Sequence, residues 1–146
     1  RRRAMAEQLA AEAAQDGAVL NNDRIARAPN TNAAHRVIRW AQAAGRGPQA
    51  VEASFAAYFT EGRDLGDPTV LSELGAAAGL DPMHVLDALA RDVDRETVAA
   101  EVAAARREGV TSVPFMIFDG RLSVMGAQPP DRLVRVVDTA VRERAA

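Results

Sequence analysis

The side chains of this chain that could do chemistry are few and widely spaced. Cysteine is absent, which excludes a disulfide framework and a cysteine-based metal site. Two isolated histidines, His35 and His84, supply too few ligands for zinc. His35 lies at a helix start, in the run Asn30-Thr31-Asn32-Ala33-Ala34-His35-Arg36. A lone imidazole there reads from the residues as a packing or cap-region group. Asn30 and Thr31 ahead of it read as capping residues, and His84, in the first turn of a capped helix, reads as surface. Val113-Pro114 is an X-Pro bond at the mouth of a strand, where the cis isomer costs little; the competing reading is a proline that only starts the strand. Gln128 stands before Pro129-Pro130, where a helix N-terminus could hold a carboxylate through its free N–H groups and dipole. The two prolines remove two of those donors.

Composition narrows the function classes. A chain of 146 residues suffices for one sizeable core or two small lobes. The formal charge of −2 gives no electrostatic case for nucleic acid. All eighteen basic residues are arginine, which together with the heavy alanine use reads as genomic composition. Arg1-Arg2-Arg3 resembles a basic tail or a twin-arginine signal, but no apolar stretch follows. The expectation is a solvated helix start or a truncation point, with no signal peptide and no membrane span.

The elements that must position these residues follow from periodicity. Met5, Leu9 and Ala13 form a helical stripe closed by Gly17, and Ala18-Val19-Leu20 is a short extended piece. Ala34, Val37, Ile38 and Ala41 repeat at helical spacing, with Thr31 or Asn32 as N-cap, Gly45 as stop and Trp40 off the stripe. Phe55, Tyr58 and Phe59, with Val51, form the next stripe and are expected to be the aromatic centre of a core, or the lining of an apolar cleft. Asp67-Pro68 and Asp81-Pro82 are N-cap and first-turn proline pairs, while Arg63, Asp64 and Asp67 read as a structured turn. Asp94 is expected to cap a helix through Val98, Val102 and Ala105, closed by Gly109.

After Gly109 the period becomes extended. Phe115-Met116-Ile117-Phe118 is apolar at every position and is expected to be buried on both faces. Asp119-Gly120 signals a type I′ hairpin into Leu122 to Met125. Pro129 and Pro130 start the last helix, with Leu133, Val137, Ala140 and Val141 as its predicted inner face. A lone hairpin is unstable, so the sheet is expected to be completed by another chain or by a missing part of the protein.

Three stretches carry a resemblance, in order along the chain: Pro29-Asn-Thr-Asn-Ala-Ala-His-Arg36, Tyr58-Phe-Thr-Glu-Gly-Arg-Asp-Leu-Gly-Asp67, and Thr111-Ser-Val-Pro-Phe with Asp119-Gly120 and Gly126-Ala-Gln-Pro-Pro130. Together they resemble the C-terminal part of DsbA-like oxidoreductases of the FrnE type, which are related to 2-hydroxychromene-2-carboxylate isomerases and kappa-class glutathione transferases. The resemblance implies an α/β, predominantly helical chain: a thioredoxin-like fold with a large helical insertion and its first β-α-β unit absent. The expected division is a helical lobe over 1–109 and a C-terminal β-β-α part over 110–146.

The resemblance also implies chemistry. The family's Cys-X-X-Cys turn sits in the absent unit of roughly 30 residues or more, so the chain alone is expected to be inactive. The whole protein would perform thiol–disulfide exchange, with Val113-Pro114 cis and pairing with substrate like an added strand. Val113, Pro114, Asn30, Thr31 and Gln128 are the implied substrate contacts, and His35 the candidate catalytic residue. The alternatives are a glutathione- or thiol-dependent isomerase or transferase, and a non-catalytic binding or scaffold protein. No cofactor is required by this reading, and glutathione or another small thiol is the candidate co-substrate. Expected partners are protein or small-molecule thiols and disulfides, with a homodimer through the exposed sheet edge. The expected compartment is the cytoplasm.

Overall fold

The computed structural model describes residues 2–144, with side chains from residue 6 onward. Arg1, and the side chains of Arg2, Arg3 and Met5 in the predicted tail and first stripe, lie outside the described residues. The helices are α1 (Arg2–Gln15), α2 (Asn32–Ala43), α3 (Gly47–Phe55), α4 (Pro68–Ala77), α5 (Pro82–Ala90), α6 (Arg95–Arg107) and α7 (Pro130–Arg144). A 3₁₀ turn covers Asn22–Arg24 and a π turn Ala56–Thr60; strands β1 (Phe115–Phe118) and β2 (Leu122–Met125) complete the set. The chain divides into two compact units inside α6, one up to Ala99 and one from Ala100.

Local signals explain most helix ends in the first unit. The Asp67 carboxylate accepts from the Thr69 N–H, and Asp81 from Met83 and His84, each followed by a first-turn proline. Gly62 (φ 73°) is the stop most tightly constrained, because a Cβ there would lie 2.6 Å from the Arg24 carbonyl oxygen. The core joins Ala34 and Val37 of α2, Ala57 of the π turn, Leu65 of the following loop, Leu71 and Leu74 of α4, and Val85 and Leu89 of α5. Gly75 lets α4 approach closely: a Cβ would meet Val85 at 3.0 Å and Val37 at 3.5 Å.

Two expectations for this unit are corrected. The core is aliphatic, not aromatic: Phe55 is 58% exposed, Phe59 36%, and Tyr58 half-buried. The reason is that α3 buries its small-residue face, Gly47, Ala50 and Ser54, continued by Ala57 at helical spacing, and Phe55 lies off that face. The three rings pack against one another instead, with Tyr58 and Phe59 edge-to-face at 5.0 Å. The extended piece before Asn21 is pinned to this turn. Asn21 donates its backbone N–H to the Phe59 carbonyl and its side-chain amide to that of Thr60. Asp94 is the second correction. It has φ 60°, and its carboxylate accepts from Trp40 Nε1 at 2.8 Å rather than capping α6.

The second unit is an antiparallel hairpin with α7 packed against β1. Phe115 stands opposite Met125, and Phe118 opposite Leu122. Asp119 and Gly120 both have positive φ, 53° and 68°, as a type I′ turn requires. Double burial of β1 is corrected: Met116, Phe118, Leu122 and Val124 share a half-buried to buried face, whereas Ile117 on the other face is 60% exposed. An unbroken apolar run states what cover a strand needs, not what lies near it. The inner face of α7 is also rotated from expectation. Leu133, Val136 and Ala140 turn inward, and Val137 and Val141 are exposed. Val134, Val137 and Val141 form a second apolar stripe on the same helix, and periodicity alone could not choose between the two.

Candidate functional site

In the second unit, the approach to β1 begins where Gly109 (φ 93°) ends α6. Thr111 to Pro114 then run exposed to solvent. The Val113–Pro114 peptide is cis. The Pro114 carbonyl accepts the Gly126 N–H at 2.8 Å, which fixes the alternation of the ladder. Pro114, Met116 and Phe118 face β2, and Val113, Phe115 and Ile117 turn their N–H and C=O groups to the opposite edge. No described residue bonds to the backbone of Val113, and its side chain is 84% exposed. This edge is therefore a short row of unpaired donors and acceptors at the strand's mouth.

Gln128 stands at the same end of the hairpin, with its amide engaged on both sides. Nε2 donates to the Met125 carbonyl at 2.9 Å, and Oε1 accepts from Arg132 Nη1 at 2.9 Å. It braces the end of β2 to the first turn of α7.

The remaining candidates lie in the first unit. Asn30 Oδ1 accepts the Asn32 N–H at 3.0 Å and so closes the turn into α2, while Thr31, the residue at the cap position, makes no side-chain cap bond. His35 is exposed on the first turn of α2, and no described group bonds to its ring. Arg63 pairs with Glu73, and Asp64 accepts from the Gly66 N–H and from Arg27. The bond from Gly66, reinforced by Arg27, holds the Asp64 carboxyl below the usual aspartate range. This is the structured turn that the sequence suggested.

Sequence reasoning missed the arginine beside His35. Arg36 is only 4% exposed. It donates to the carbonyls of Val93 (2.6 Å), Ala88 (2.9 Å) and Leu89 (3.3 Å), and lies 5.6 Å over the Trp40 ring. It thereby adds a donor to the last carbonyls of α5, which also accept the Val93 and Asp92 N–H groups, and places a cation at that helix's negative end. The legible signal was the arginine and tryptophan four residues apart on one helix. Trp40, Leu80, Val85 and Ala88 line a neighbouring cavity of about 420 Å³.

Among the described residues, no cluster of His, Cys, Asp or Glu could hold a metal ion, and no helix is long and apolar enough to cross a membrane. No curated protein matches the sequence. Among solved structures, the chain is similar to a probable DsbA oxidoreductase from Streptomyces coelicolor, with a TM-score of 0.85 and 30% identity. The match covers 96% of this chain and 60% of that one, so the chain spans less than two thirds of the oxidoreductase's length. The model of the DSBA-like thioredoxin domain matches residues 1–138. On that match, and with a thioredoxin-like, predominantly helical architecture, the chain belongs to the DSBA-like thioredoxin domain family.

Proposed function

We propose that these residues form the substrate-holding part of a thiol–disulfide oxidoreductase of the FrnE type. The observation that supports this best is the unpaired, exposed backbone of Val113 at the mouth of β1. An extended segment carrying a disulfide can pair there as an added strand. The sulfur chemistry needs a dithiol from outside these residues, since the chain has no cysteine. One thiolate of that dithiol attacks a substrate sulfur, forming a mixed disulfide and releasing the other substrate sulfur as a thiolate that takes up a proton. The second thiol, losing its proton, attacks the mixed disulfide and frees the substrate as a dithiol. Two electrons pass to the substrate, and the external dithiol becomes a disulfide. In this reading Val113 and Phe115 orient the substrate backbone, and Pro114 keeps that strand entrance clear of a competing N–H donor.

The test is titration of the chain with a short extended peptide joined through a disulfide to a second copy of itself, observed by backbone amide NMR. The amides of Val113 and Phe115 should shift, and Val113→Pro, which removes one donor, should weaken binding by about tenfold. Shifts confined to other residues would overturn the reading. So would insulin reduction by the chain itself above the dithiol background, because the reading places the reactive sulfurs elsewhere.

A further inference from the structure

The hairpin has a second edge, which the oxidoreductase reading does not use. Leu122, Val124 and Gly126 face β1, so Ser123 and Met125 face outward. The Met125 carbonyl is taken by Gln128, which leaves the Ser123 N–H, the Ser123 carbonyl and the Met125 N–H without a partner among the described residues. An open groove of about 570 Å³ runs along this edge, lined by Leu122, Ser123, Arg132, Arg135, Val136 and Thr139. Its floor is apolar, and its far wall is cationic.

The two arginines are differently prepared. Arg132 is held by Gln128 through one nitrogen, which leaves the rest of its guanidinium fork free. Arg135 has no ion-pair or hydrogen-bond partner for its side chain among the described residues. Asp131 and Asp138 flank them along α7, but neither lines the groove nor pairs with either arginine. The site is thus an unpaired strand edge beside two arginines, with no carboxylate between them.

We propose that the outer edge of β2 takes up an extended acidic segment of another polypeptide, as an added strand whose carboxylates bind Arg132 and Arg135. The dimensions agree. Arg132 and Arg135 are separated by about 4.5 Å along the helix axis, and same-face side chains on a strand by about 6.7 Å, a difference that long arginine arms absorb. Main-chain pairing supplies affinity, and the forked guanidinium–carboxylate contacts supply selection for acid. Charge argues against a second copy of this chain, since pairing two β2 edges brings two arginine pairs together. A free phosphate would leave the Ser123 and Met125 groups unused.

The probe is a hexapeptide of alternating glutamate and valine, titrated into the 146-residue chain, with the lysine–valine counterpart and inorganic phosphate as comparisons. The acidic peptide should bind saturably and more weakly as salt rises. The Ser123 and Met125 amides should gain protection from exchange on binding. Arg135→Glu, at an exposed position, should weaken binding by about tenfold or more with an unchanged circular dichroism spectrum. Should that variant fail to fold, Ser123→Pro tests the edge directly. The Ser123 N–H points away from β1, so the ladder survives and only peptide binding should fall. Equal binding of the lysine peptide would overturn the proposal, as would peptide binding without protection at Ser123 and Met125. Failure to saturate by about 1 mM peptide, or self-association that protects these same amides, would also overturn it. None of these outcomes bears on Val113, which lies on the other edge.

Discussion

Arg36 shows how one buried charge can organise a lobe without taking part in chemistry. Three carbonyl oxygens converge on it, two of them from the last turn of α5. The Ala88 and Leu89 carbonyls also accept the Val93 and Asp92 N–H groups, so removing Arg36 strips only the Val93 carbonyl of its donor, and Arg36→Ala should lower stability by about 1–3 kcal/mol, read from urea denaturation of the chain. Phe59 is the opposite case. A fully buried phenylalanine costs about 3–5 kcal/mol when cut to alanine, but this ring is over a third exposed. Phe59→Ala should therefore cost only about 1–2 kcal/mol. Asp64 brings a pH dependence of fixed sign. Its folded pKa is lowered, first by the Gly66 N–H and then by Arg27. Its contribution is therefore complete above the unfolded value of about 4 and is lost as pH falls from there through the folded value. The stability gap between wild type and Asp64→Asn should be constant from about pH 5 upward and shrink on acidification below about pH 4. A gap that widens on acidification would contradict the assignment.

At the scale of elements, the clearest rule is the paired Asp-Pro helix start. Asp81 accepts two backbone N–H groups of α5 at 2.8 and 3.3 Å. Asp81→Ala should cost about 1 kcal/mol, and Asp81→Asn much less, as thermal unfolding of the three proteins can show. These starts were legible because caps act within four residues. The hairpin turn was legible for the same reason: Asp119-Gly120 carries its positive φ values as a property of two residues. The π turn was not. Nothing in Ala56-Ala-Tyr-Phe-Thr60 departs from a helical pattern, and the donors to its Phe59 and Thr60 carbonyls come from Asn21, far away in sequence.

For the whole molecule, the open question of assembly lies at the edge of β1. Val113 and Ile117 are exposed there. An unpaired strand edge flanked by apolar side chains favours pairing with another chain. The 146-residue chain by itself should sediment with a mass that rises with concentration in the micromolar range, and Ile117→Lys should shift it toward monomer. A monomer at all concentrations, with the Ile117 amide protected from exchange, would mean that this edge is covered from within.

What the sequence determined by itself were the features set by neighbours along the chain: the order of helices, the two Asp-Pro helix starts, the glycine stops and the hairpin turn. These depend on backbone dihedral preferences and on hydrogen bonds spanning a few residues. Tertiary structure decided which apolar stripe of α7 turned inward, which face of β1 was covered, that Arg36 was buried, and that Phe55 and Phe59 were not. Each of those outcomes depends on which surface packs against which. An apolar side chain carries the same driving force toward any cover, so its pattern names the need for burial without naming the partner.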